Sequence, residues 1–221
     1  MTDKPRWRDI ESATGAGIRI AVLDSGFDPQ HPELVDAHIG CYRVEQPSLG
    51  SAHPSVVACA VAEDRVGHGT AVSAIVRRYA PDATIDSVQV FGRNPSWAAN
   101  VTVALQWALD ERYDVINCSF RATERGSLAD FRELAHRAWC ESRVIVAAAN
   151  ESDVHLPESP SAFPAVVATG WGAFSGLAFA CRVGRPAEFL AAGEQLRVAW
   201  RNGGYRDGDR KSTRLNSSHL G

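Results

Sequence analysis

The chain has 221 residues, of which 45% are hydrophobic and 22% charged, and a net charge of −3. A mildly acidic chain without a basic block is a poor partner for nucleic acid or an anionic membrane, and so apolar a composition does not fit a disordered chain. Chains of this size bury about 70% of the surface that they expose when unfolded, so one large domain with a sizeable core is expected.

The first ten residues are polar and charged, with no apolar core of the secretory kind, and no run reaches transmembrane length, which points to a cytoplasmic protein with no membrane contact. Apolar runs over residues 18–23, 84–91, 114–120, 143–149 and 165–169 are short and rich in Val and Ile, which predicts strands buried on both faces of a parallel sheet. Between them, residues 70–79, 96–112 and 128–140 carry apolar side chains at helical spacing. Ser127 is the expected N-cap of the third helix, with Asp130 three positions on. The alternation implies an α/β fold, a doubly wound and mainly parallel sheet with helices on both faces, whose ligands sit beyond the carboxyl ends of the strands. Residues 40–63 and 151–163 read as loops or minor strands.

The last segment differs in character. Residues 209–219 are polar, lack any hydrophobic period and fit a disordered terminus, but they can also be encoded by a widely used short-read sequencing adaptor, so a non-native tail is expected over residues 209–221, with one domain over residues 1–208. Three basic residues against one acid in that tail make the rest of the chain the more acidic part. Five cysteines (Cys41, Cys59, Cys118, Cys140, Cys181) are odd in number and form no Cys-x-x-Cys pair. They read as buried free thiols rather than disulfides or metal ligands.

Chemistry gathers at the predicted strand ends. Asp24 directly follows Ile20-Ala21-Val22-Leu23, so its carboxylate is expected to emerge at the crevice, with Gly26 allowing a sharp turn. Strand-end aspartates occur in nucleotide-binding and hydrolase folds alike. Downstream, Asp28, His31 and Glu33 are open to a metal-ligand reading, but Asp28-Pro29 and His31-Pro32 fit turn chemistry better. His68 stands between two glycines at the start of a helix, where the backbone of a neighbour or a substrate can approach the ring closely. An anion site on that helix N-terminus is the rival reading, but Gly67 to Thr70 lacks the lysine and the length of a phosphate-binding loop. His38, His53, His136 and His155 read as ordinary packed or exposed residues. Asn150 ends the run Val144-Ile145-Val146-Ala147-Ala148-Ala149, and its amide is expected in the same crevice, placed to donate to a developing oxyanion.

These segments, in this order, resemble the subtilase family of subtilisin-like serine peptidases. Asp24-Ser25-Gly26 with His31-Pro32-Glu33-Leu34 resembles its aspartate block, and Gly67-His68-Gly69-Thr70-Ala71-Val72 followed by Ala80-Pro81-Asp82-Ala83 its histidine block. Val115-Ile116-Asn117-Cys118-Ser119 resembles the substrate-binding strand, and Val146 to Asn150 the oxyanion block. Phe163 to Gly170 resembles the next strand, and Phe189 to Gly193 the approach to the serine block. The resemblance spans residues 16–208. It implies that His68 is the general base, that Asp24 holds its tautomer and stabilises its protonated form, and that Asn150 binds the oxyanion. It further implies that an extended peptide or protein substrate pairs with the strand near Ser119. No cofactor is called for; calcium binding is open, with no identifiable site.

The sequence departs from the family in three places. Ala149 stands where the family usually has Gly, and Phe120-Arg121-Ala122 where it has Leu-Gly-Gly. No Gly-[Thr/Asn]-Ser-x-Ala-x-Pro turn is present, and Ser212, which lies near the right distance, has charged neighbours and belongs to the suspected tail. The fold is therefore expected to be incomplete at its C-terminus, and the fragment inactive for want of a nucleophile. A pseudopeptidase or peptide-binding module using the same groove is the alternative. A Rossmann-like nucleotide binder fits poorly, because no Gly-x-Gly-x-x-Gly turn follows the first strand.

Overall fold

The computed structural model describes residues 12–46, 53–91, 97–120, 128–149, 160–172, 179–181, 189–192 and 197–207. In chain order the strands are β1 (Arg19–Asp24), β2 (Ile39–Glu45), β3 (Ser55–Ala58), β4 (Thr84–Gln89), β5 (Val115–Cys118), β6 (Val144–Ala148), β7 (Val166–Gly172), β8 (Phe179–Cys181), β9 (Phe189–Ala192), β10 (Arg197–Ala199) and β11 (Tyr205–Asp207). The helices are α1 (His68–Tyr79), α2 (Trp97–Asp110) and α3 (Leu128–Cys140). Among the described residues, nine strands form one sheet in the order β3-β2-β4-β1-β5-β6-β7-β9-β8. Pairing is parallel from β2 to β9, and β3 and β8 run antiparallel at the two edges. The chain first builds outward on one side of β1 and then on the other, so the winding reverses at β1, the place where such sheets open a crevice.

Strand β1 shows why the apolar runs are continuous. Its side chains alternate between faces, and both faces are covered. Ile20 and Val22 pack with Ile85 against Val72 and Val76 of α1. Ala21 and Leu23 point the other way, into a core shared with Leu105 and Leu109 of α2 and Phe131 and Leu134 of α3. The helical stripes are equally legible. Val101, Ala104, Leu105, Ala108 and Leu109 are wholly buried at i, i+3, i+4, i+7 and i+8 spacing, and Phe131, Leu134, Ala135 and Ala138 repeat the pattern on α3.

Helices α2 and α3 close alike. The Tyr113 N–H donates to the Ala108 carbonyl at 3.1 Å and the Arg143 N–H to that of Ala138 at 2.8 Å. Arg112 and Ser142, with φ of 60° and 56°, take the left-handed turn that glycine usually supplies.

Residues 40–63 contain β2 and β3, which extend the sheet to its edge, with Tyr42 and Val44 turned toward the α2 core. Most of residues 151–163, and Ser127, lie outside the described residues. The expectation of buried thiols holds for Cys118 alone; Cys41 and Cys59 are half-buried, and Cys140 and Cys181 are exposed. The reason is position: Cys41 and Cys59 lie at one sheet edge, Cys181 on the opposite edge strand, and Cys140 off the apolar stripe of α3. Among the described residues, no helix is long and apolar enough to cross a membrane.

Candidate active site

Asp24 is the last residue of β1, and His68 is the first of α1. The sheet and the helix bring them together although 44 residues separate them: His68 Nδ1 lies 2.9 and 2.8 Å from the two Asp24 carboxylate oxygens. Asp24 is fully buried, and only 9% of His68 is exposed. A carboxylate has no proton to give, so Nδ1 carries the hydrogen and Nε2 keeps a lone pair. An imidazole so held can take up a proton at Nε2 while the carboxylate stabilises the resulting cation.

A second carboxylate, which the motifs did not single out, organises this pair. Asp64 Oδ1 accepts from the Ser25 hydroxyl at 2.9 Å and from the N–H groups of Val66 and Gly67 at 3.0 and 2.7 Å. Its Oδ2 accepts from the Thr70 N–H at 2.8 Å and the Thr70 hydroxyl at 2.7 Å. Asp64 thus satisfies orphan donors at the N-terminus of α1, the service usually given by a capping side chain, and an anion is favoured there. An acid six positions before the helix predicted from residue 70 was the only, and weak, signal in the sequence.

Ser25 links the two halves. Its hydroxyl accepts from the Gly69 N–H at 3.0 Å and gives its single proton to Asp64 in preference to Asp24 Oδ1, which lies farther off at 3.2 Å. The Ser25 N–H donates to Asp24 Oδ1 at 2.7 Å. Gly69 must be glycine, because a Cβ there would overlap the Gly26 carbonyl oxygen. Gly67 takes φ of 99°, and a Cβ on it would run into the Trp200 ring.

Trp200 follows β10, whose hairpin with β11 closes over α1. Ala199 packs on Ala74, Phe27 and Leu34. The turn reading of Asp28 and His31 is borne out, and the turn is also a latch. Asp28 accepts from the Gln30 N–H at 3.0 Å and from the distant Gly203 N–H at 2.9 Å. His31, wholly buried, accepts from the Glu33 N–H at 3.1 Å through Nδ1, and its Nε2 donates to the Gly204 carbonyl at 2.8 Å. With both ring nitrogens so engaged, His31 is a structural residue. Among the described residues, no cluster of three or more His, Cys, Asp or Glu side chains could hold a metal ion.

Ser119 directly follows β5 and accepts from the Asn117 amide at 2.7 Å. The register of β5 on β1 sets Val22 beside Asn117, so Ser119 stands level with Asp24 on the same edge of the sheet. Beside them, burial and the Asp24 carboxylate push the Cys118 thiol upward, which keeps it neutral. Strand β6 ends on this same edge, and the Ala149 N–H donates to the Thr169 carbonyl at 2.8 Å. Asn150 and Ser212 lie outside the described residues. A cavity of about 210 Å³ opens at the carboxyl ends of β2 and β4, lined by Gln89, Val90, Phe91 and Asn100 among others.

Comparison with known proteins gives a consistent result. The family model described as Peptidase_S8, the subtilase family, matches residues 15–185. The minor extracellular protease Epr of Bacillus subtilis is 26% identical over 93% of this chain and 31% of its own length. Subtilisin E of the same organism is 30% identical over 71% of this chain and 41% of its length. The chain therefore spans well under half of either relative. Among solved structures, a cold-adapted subtilisin-like serine proteinase superposes with a TM-score of 0.66 at 21% identity, covering 92% of this chain and 73% of that one. At that identity the likeness speaks for the fold.

Proposed function

The chain belongs to the subtilase family, and on that premise we propose that its parent protein is a serine endopeptidase that hydrolyses peptide bonds through Asp24, His68 and a serine beyond residue 208. The observation that carries this reading is the buried contact of His68 Nδ1 with both oxygens of Asp24, at 2.9 and 2.8 Å. It leaves Nε2 as the base that takes the serine proton and returns it to the leaving amine. Asn150 donates to the tetrahedral oxyanion, and an extended peptide lies along the sheet edge at Ser119. Residues 209–221 are a translated adaptor in this reading, and Ser212 is no nucleophile. The 221-residue chain then hydrolyses no peptide, because no acyl-enzyme can form on it.

The test joins residues 1–208 to the continuation read from the source DNA, then measures fluorophosphonate labelling and peptide hydrolysis. One labelled serine and measurable turnover are expected, with turnover abolished in His68→Ala. Asn150→Ala should lower kcat by about 10²- to 10³-fold, the loss typical of one oxyanion donor in this family. Hydrolysis by the 221-residue chain itself, lost in His68→Ala, would overturn the assignment of the nucleophile. A folded extended protein that binds peptide without label or turnover is instead a pseudopeptidase.

A further inference from the structure

We propose that Cys41 and Cys59 form a disulfide across the β2–β3 edge when the protein meets a small-molecule disulfide, and that this bond ties down the segment leading to Asp64. The two strands pair antiparallel with Tyr42 opposite Ala58, so the next step of the ladder sets Cys41 opposite Cys59. The Cys59 N–H donates to the Cys41 carbonyl at 2.7 Å, which continues the ladder to this pair. Directly opposed residues in a hydrogen-bonded antiparallel pair have Cα atoms about 5.5 Å apart. A disulfide accepts Cα separations of roughly 4.4–6.8 Å, so closing the bond needs side-chain rotation and no shift of the strands. The two thiols lie close enough for Cys59 to shift the ionisation of Cys41. Both are half-buried and present as free thiols, so a small oxidant can reach them.

The other cysteines have no such partner. Cys118 is wholly buried between β1 and β6, and Cys140 ends α3. Cys181 lies in β8, at the opposite edge of the sheet from β3. Eight strand spacings of about 4.8 Å separate those edges, far beyond the reach of an S–S bond.

The step balances with oxidised glutathione as the oxidant. The Cys59 thiolate attacks one glutathione sulfur, which forms a mixed disulfide and releases one glutathione thiolate. Cys41 then loses its proton to water and attacks the Cys59 sulfur, breaking the mixed disulfide and releasing the second thiolate. Two protein thiols are oxidised to one disulfide, and one glutathione disulfide is reduced to two thiols. Cys59 attacks first because burial, and then the neighbouring Cys59, push the Cys41 thiol up to about 12. The cross-link closes the loop between β2 and β3 and anchors the chain at residue 59, just before it returns to Asp64 and the start of α1.

The experiment incubates the purified chain with oxidised glutathione and maps its tryptic peptides without reduction. Cleavage after Arg43 separates the two cysteines, so the bond appears as a linked pair lighter by two hydrogens than the separate peptides. A Cys41–Cys59 pair is expected as the dominant cross-link, together with a melting temperature several degrees above that of the reduced chain. In Cys41→Ser, Cys59 should remain trapped as its glutathione adduct. Cross-links scattered over all five cysteines, as in a urea-unfolded control, would overturn the proposal. So would two stable glutathione adducts at Cys41 and Cys59 in the unsubstituted chain. A cross-linked chain with an unchanged melting temperature would overturn the claim that the bond ties down the Asp64 segment.

Discussion

Under α2 and α3 the sheet buries Ala21, Leu23, Val88, Ile116 and Ile145 against Leu105, Leu109, Phe131 and Leu134. Under α1 the apolar contacts fall into two smaller groups, Ile20, Val22 and Ile85 with Val72 and Val76, and Ala74 with Phe27, Leu34 and Ala199, while the N-terminal turn of the helix is held by hydrogen bonds. Apolar packing is strong but non-directional, and it tolerates small shifts of a helix. Hydrogen bonds weaken steeply with distance and angle. The difference shows which face carries stability and which carries precision: His68 is held against Asp24 by Asp64, Ser25, Gly69 and Thr70, whereas α2 and α3 hold the sheet that bears them.

That comparison can be broken by substitutions on either face. The largest stability loss is expected from Phe131→Ala, at about 4 kcal/mol, because Phe131 is fully buried and leaves a cavity. Denaturant unfolding measures it, and in the catalytically complete protein kcat per folded molecule should stay close to that of the parent. A large kcat loss there would erase the division between the faces. Asp64→Ala should cost about 3 kcal/mol, since buried donors at Gly67 and Thr70 lose their acceptor. Here kcat should fall further than the folded fraction does, because the start of α1 moves relative to Asp24. Equal losses in both quantities would make Asp64 a purely structural cap.

Two smaller changes sharpen the same contrast. Arg112→Gly should stabilise by about 1 kcal/mol, because it relieves a positive φ at the end of α2 and touches no part of the site. Thermal melting reads this as a rise of a few degrees. Ser87→Ala should change stability by less than about 0.5 kcal/mol, since the buried Ser87 hydroxyl has no hydrogen-bond partner among the described residues. A clear destabilisation would show that β4 depends on a polar contact at that position.

Legibility followed the range of the interactions. Predicted strands over 18–23, 84–91 and 143–149 correspond to β1, β4 and β6 with ends shifted by one or two residues, because burial on both faces writes a continuous apolar run. Helix α3 was read at its observed bounds, since Phe131, Leu134, Ala135 and Ala138 repeat at helical spacing. Asp24 and His68 were legible because each sits at the end of such a run. Asp64 was not, because an acid in a polar loop carries no period, nothing sets it apart from the adjacent Glu63, and its partner Ser25 lies 39 residues earlier. The β10–β11 hairpin was also missed. It is short, and half of its attachment is made by Asp28 and His31, more than 170 residues earlier.

By itself the sequence determined the alternation of strand and helix, the family and the two residues that form the buried pair, since local periodicity and short motifs encode all of these. Tertiary structure alone decided that Asp64 caps the helix bearing His68, that the Asp28–His31 turn latches the hairpin over it, and that Cys41 meets Cys59. Each of these depends on groups far apart in the chain, and only the paired strands and packed helices bring them within hydrogen-bonding distance.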